Sequence, residues 1–277
     1  MSITAASSLG LSASRGTAIR PAPILMIRSL HYVAEDCPGA LPPVRGLRAT
    51  ALGIVGAQAE QDPQSGLIGF QDLPPGQRQI LLTDPERRFL PSLITVAIPA
   101  RHPTRPTAPD SAPQAALARP TVKLRPAPGR AIPAGMTAVI GTLRDATGHG
   151  IALAVLGVES VVDGRPARCI TWTAEDGSFA LWLPGEAAGL DTAAPPPQAR
   201  RFTLQVPGAA LAAALALDFF GALPPDLDGM DTATRPDLFR PATLILLGAD
   251  GAPAEAAPGW LPIRPARTQR WDMRLDH

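Results

Sequence analysis

Side-chain catalysis needs an activated nucleophile, a titratable base or a cluster of metal ligands, and few residues of this 277-residue chain qualify. The histidines are His31, His102, His149 and His277, and no two of them have the helical spacing of a zinc-binding HExxH pair. His149 sits at the tip of a Thr147-Gly148-His149-Gly150 turn, where an exposed polar residue is expected. His102 lies in a proline-dense stretch, His277 is the last residue, and His31 falls on an early strand. The cysteines Cys37 and Cys169 are far apart and lack a CxxC partner, so they read as two reduced thiols. GxSxG, GxGxxG and Walker-type glycine loops do not occur. Glu175-Asp176 is explained by turn chemistry. Asp226-Leu-Asp228-Gly-Met-Asp231 spaces carboxylates as a loop for Ca²⁺ could. It lacks the closing glutamate of an EF-hand and any repeat, which favours an ordinary solvated loop. No catalytic, cofactor-binding or metal-binding residue is expected, and no cofactor.

Composition narrows the scaffold. Hydrophobic residues make up 45% of the chain, enough for packed cores, but 33 prolines and 25 glycines leave room only for short elements and frequent turns. The net charge is +1, and Lys123 is the only lysine. That bias matches the codons of a GC-rich bacterial genome, and the scattered, acid-balanced arginines do not form the footprint of a nucleic-acid binder. The N-terminus has neither a basic start nor a continuous apolar run, so the expectation is cytoplasmic synthesis without a Sec leader. Pro207 to Phe220, the most apolar stretch, is too short to span a bilayer and contains Asp218.

These residues are positioned by short, turn-punctuated strands. After an arm over 1–20, strands are predicted at Ile24–Val33, Val44–Val55, Gly66–Leu73, Gln77–Thr83 and Ser92–Ile98. Prolines crowd residues 99–135, which read as an extended linker. Further strands are predicted at Ala138–Leu143, Ile151–Val162, Arg168–Thr173, Ser178–Leu183, Arg201–Val206, Thr243–Leu247 and Trp271–Leu275. Asp163-Gly164 and Asp176-Gly177 are read as hairpin turns. Ala209–Leu217 fits a short helix by propensity, with a strand into Phe219-Phe220 as the alternative. Residues 221–241 read as a long loop.

From Val139 to Pro184 the residues resemble the carboxypeptidase regulatory-like, or transthyretin-like, β-sandwich module. Gly141, Asp145, Gly148, Ala154, Val155, Thr173, Asp176, Gly177 and Phe179 carry the likeness. Phe179, Trp172 and Trp182 are its core candidates. Ser65-Gly66 through Asp72-Leu73-Pro74-Pro75-Gly76 is a fainter version in the first half, which suggests two diverged copies. Asp84 to Pro91 reads as a turn anchored by Phe89. Two enzyme groups with related sandwiches are disfavoured. The dioxygenase iron site needs two tyrosines and this chain has only Tyr32, and the hydrolases' terminal Tyr-Arg-Gly-Ser is missing.

The fold expected is all-β: two tandem immunoglobulin/transthyretin-like sandwiches over 21–99 and 136–277, joined by a proline-rich linker over 100–135. The resemblance implies a non-catalytic structural or adaptor protein whose partners are protein subunits of a larger assembly. Tandem modules of this style resemble accessory proteins of phage-tail-like contractile particles, which would place the chain in a released or virion-like particle. A carbohydrate- or surface-binding adhesin is the alternative. No nucleic acid, membrane insertion or small-molecule substrate is expected. Trp260, Ile263, Trp271 and Leu275 are the candidate interface residues, through strand addition to a neighbour, unless the tryptophans close the second domain's own core.

Overall fold

A computed structural model describes residues 25–31, 44–57, 59–71, 73–98, 120–133, 136–162, 165–183, 198–225, 235–247 and 260–276. The described residues are mostly β, in four sheets. In the first half, β1 (Leu25–His31) lies between β4 (Ile68–Phe70) and β7 (Thr121–Leu124), with β3 (Ala59–Gln61) beyond β4. A second sheet holds β2 (Arg48–Ala51), β5 (Gly76–Thr83) and β6 (Ser92–Ile98). Alternate residues of both sheets meet in one core. Leu25, Ile27, Ile68, Phe70, Val122 and Leu124 face Ile80, Leu82, Ile94, Val96 and Ile98.

The second half repeats this plan with longer strands. β8 (Thr137–Arg144) lies between β11 (Ser178–Leu183) and β16 (Thr268–Leu275), and β14 (Leu244–Leu247) pairs with β16. The facing sheet runs β10 (Arg165–Trp172), β9 (Val155–Val162), β12 (Gln198–Pro207), and β12 also takes β13 (Phe239–Pro241) and β15 (Trp260–Ile263). Its core joins Val139, Phe179, Leu181 and Trp271 to Leu156, Val158, Phe202 and Leu204.

The two halves share a three-strand motif. In each, the first strand is central, pairs antiparallel with a middle strand (β4, β11) and parallel with the last (β7, β16). The turn before each middle strand closes with a similar backbone bond, although the first joins the paired β3 and β4 and the second crosses between facing sheets. Asp62 N–H bonds Leu67 O at 2.8 Å, and Ala174 N–H bonds Ser178 O at 2.7 Å. Gly66 (φ 70°) and Gly177 (φ 78°) occupy the left-handed position that such turns reserve for glycine. This three-strand arrangement is compatible with two diverged copies, while the facing sheets differ in connectivity.

Several expectations change. The segment read as linker contains β7, because Thr121 to Leu124 is a proline-free run whose alternate residues Val122 and Leu124 are buried. Backbone bonds Leu90 N–H to Arg125 O and Ala127 N–H to Arg88 O, both 2.9 Å, carry the packing through residue 127. The Asp176-Gly177 turn is not a hairpin, since β10 and β11 belong to facing sheets and the turn crosses between them. β9 starts at Val155 because Leu153 takes a positive φ of 54°. Val44–Val55 supplies only the four residues of β2. β9 and β10 do form the expected hairpin, with Arg165 opposite Val162; Asp163-Gly164 themselves lie outside the described residues.

Ala209–Leu217 is a helix, α1, and α2 (Phe219–Ala222) follows at a corner where the Asp218 side chain accepts from Gly221 N–H at 3.1 Å. Part of the predicted 221–241 loop is thus α2 and β13. No helix among the described residues is long and apolar enough to cross a membrane.

Candidate functional site

Burial separates the four residues proposed from sequence as an interface. Ile263 and Trp271 are buried in the second core and Leu275 packs against it, so these three belong to the chain's own packing. The physical reason is pairing: β15 adds to β12 and β16 to β8, which points Ile263 and Trp271 inward. Trp260 is the exception, 47% exposed at the start of β15. Cys169 is buried in the same core. His149 stands in the exposed Asp145 turn, its Nδ1 2.7 Å from Thr147 Oγ1. Cys37, His102, His277 and the Asp226/Asp228/Asp231 loop lie outside the described residues, as does the side chain of His31. Among the described residues no His, Cys, Asp and Glu cluster could hold a metal ion.

A third buried cluster joins the halves, and it holds the features most capable of recognition. Leu90 and Leu93 from the first half and Ala127 meet Val155, Ile170 and Trp172, with α1 and α2 supplying Leu211, Leu215 and Phe219. Arg125 enters this cluster at 1% exposure. Its guanidinium lies 4.3 Å from the centre of the Trp172 ring, and Nε donates to Ile170 O at 3.1 Å. Five residues on, Arg130 lies 4.3 Å from the Phe89 ring and 4.6 Å from the Trp182 ring, one ring from each half. Burial, and the nearby Arg88 charge, push the Arg130 pKa below the ordinary arginine value. A guanidinium suits these positions because its flat face stacks on aromatic rings while its edge donates hydrogen bonds.

The Asp84 turn holds the first half's side of the junction. Burial raises the cost of its charge, yet Arg88 donates to both carboxylate oxygens, at 2.9 and 3.1 Å, and the Arg88 and Glu86 N–H groups add to them. The net result is a carboxyl held below its usual value of 3.8. Phe89 is buried next to it, as the turn reading predicts. Because the folded pKa is depressed, the Asp84 contribution is present above about pH 4 and fades as pH falls through the folded value. An Asp84→Asn variant is accordingly expected to lose on the order of 2 kcal/mol at pH 7. The difference from the parent should shrink in urea titrations below pH 4, and a gap that stays constant to pH 2 would remove the ion-pair account.

Between these walls opens a cleft of about 880 Å³. It is lined by Phe89, Leu90 and Pro91 of the first half, by Pro128 and Gly129, and by Glu175 of the second half. Phe219 and Phe220 form its lip, stacked edge-to-face at 5.5 Å. Phe220 on α2 is 46% exposed, and Leu217, the last residue of α1 before the Asp218 corner, is 90% exposed. These two residues escaped the sequence reading. The signal was there: α1 is AALAAALAL, with no polar side chain on any face. However such a helix packs, it leaves apolar surface to solvent.

No protein-family model matches the chain, and no curated protein is similar to it. Among solved structures, the chain is similar to the major pilin subunit BcpA of Bacillus cereus at 6% identity and a TM-score of 0.24, covering 83% of this chain and 55% of that one. A streptococcal ancillary pilin aligns at 13% identity and 0.18, over 65% and 52%. The shaft pilin SpaA of Lactobacillus rhamnosus GG aligns at 10% identity and 0.19, over 91% and 97%. The chain thus spans about half the length of the first two, 55% and 52%. Scores of this size assign neither partner nor activity to it.

Proposed function

We propose that the chain is a non-catalytic structural adaptor that binds protein subunits of a larger assembly. The observation that carries this reading is Phe220, 46% exposed on the junction cleft, with the exposed Leu217 three residues before it in the chain. Large apolar side chains grouped next to a concave surface mark contact sites. The buried Arg125 and the shared apolar cluster supply a firm base for that surface. We take the assembly to be a phage-tail-like contractile particle, and the second half to be a carboxypeptidase regulatory-like module, on the sequence resemblance alone. Genes for sheath, tube and baseplate beside this one would support the particle.

Gel filtration of a native lysate tests the adaptor role directly. The parent chain is expected in high-mass fractions, and a Leu217→Ser/Phe220→Ser variant in monomer fractions. A parent found only as monomer would overturn the reading. The adhesin alternative rests on the exposed Trp260; glycan binding lost in Trp260→Ala would move the assignment there.

A further inference from the structure

A second exposed feature lies at the far end of the β10–β9–β12 sheet from the cleft. Arg168 faces Glu159 across β10 and β9, Glu159 lies 3.6 Å from Arg201, and Arg201 stands opposite Trp260 on β15. Glu159 and Arg201 adjoin the inward-facing Val158 and Phe202, so the alternation of the strands turns them outward. Paired residues share a face, which places Trp260 beside Arg201. The outer face of the sheet therefore carries a row of two cations and one anion ending in an exposed tryptophan.

The cleft carries the opposite pattern. Glu175 and Asp176 of the second half and Arg87 of the first are exposed and line it, while the Asp84 charge is matched by Arg88. Two anions and one cation surround an apolar lip, where the row presents two cations and one anion beside an apolar ring. From Arg168 to Ala174 the chain advances six residues, roughly 20 Å along the sheet, so row and cleft occupy separate places on the surface.

Resting on the adaptor reading, we propose that the partner in this cleft is a second copy of the chain, whose Trp260 inserts beside Phe220. Arg201 and Arg168 then meet Glu175 and Asp176, and Glu159 meets Arg87. Such a contact joins two different patches, so it is heterologous and leaves a free row and a free cleft at the ends of each pair. Charge complementarity selects the orientation, and the buried tryptophan supplies the anchor.

Sedimentation velocity on the full chain, over a concentration series, tests the contact. The parent is expected to gain mass with concentration, and Trp260→Ala and Phe220→Ser each to weaken association at least about tenfold. Both positions are exposed, so neither change should unfold the chain, which circular dichroism checks. The mixture is the deciding sample. Trp260→Ala keeps an intact cleft and Phe220→Ser an intact row, so an equimolar mixture forms a dimer and stops there. A monomeric parent, single variants that associate like the parent, or a mixture that stays monomeric would each overturn the proposal. A purified parent that is monomeric yet heavy in lysate would sink the self-contact and leave the adaptor role standing.

Discussion

An Arg125→Ala chain is expected to lose about 3–5 kcal/mol of unfolding free energy, most of it from the junction between the two halves. Arg125 is 1% exposed, so truncation removes the side chain from a packed site and opens a cavity against Trp172. It also leaves Ile170 O without its 3.1 Å donor in a place water does not reach. Arg125→Lys should recover little, because an ammonium on a flexible stem cannot stack flat on the indole while donating to the carbonyl. The parent should unfold in urea as one transition, with tryptophan fluorescence and circular dichroism coinciding. The variant should separate them as the halves uncouple. A loss below about 1 kcal/mol with coincident probes would show that the apolar cluster holds the junction without the arginine.

The second large effect is expected at Gly141, where alanine should cost more than about 4 kcal/mol or prevent folding. Gly141 lies in the middle of β8, opposite Phe179 on one side and Trp271 on the other. A Cβ there would overlap the Trp271 carbonyl and crowd the Phe179 ring at 3.1 Å. The obstacle on one side is backbone, so relief requires β8 and β16 to part, and that pair closes the sheet by parallel pairing. Soluble yield and thermal unfolding check this. Gly129→Ala is the control, since a Cβ there meets nothing within 4 Å and should change stability by less than about 0.5 kcal/mol. Equal behaviour of the two variants would remove the close-approach argument.

Particular elements show why some of this was legible beforehand. Ser92–Ile98 and Ser178–Leu183 were placed to the residue because turn residues bracket β-rich runs whose length suits one strand. Ala209–Leu217 has helix propensity, but a strand into Phe219-Phe220 remained open along the sequence and only the structure decides for α1. β7 was hidden because the prolines at 120 and 126 that flank it suggest an extended linker, and only the neighbouring β1 shows that Thr121 to Leu124 are needed to complete a sheet. The Asp176-Gly177 turn has the same local chemistry whether its strands pair or cross between sheets, so its role was likewise out of reach.

The sequence by itself determined the all-β class, the placing of most strands, the turn glycines and the aromatic core candidates, because these follow from local propensity and the two-residue alternation of a strand. Tertiary structure alone decided which apolar residues stay outside. Trp271 and Trp260 are both tryptophans on short C-terminal strands, yet pairing with β8 buries the first while the second, at the start of β15, stays half-exposed. It also decided that Arg125 is a core residue, since no pattern along the chain reveals that an arginine's face will be covered by an indole from residue 172. Burial is a property of what the rest of the chain brings near, and that is set by long-range pairing.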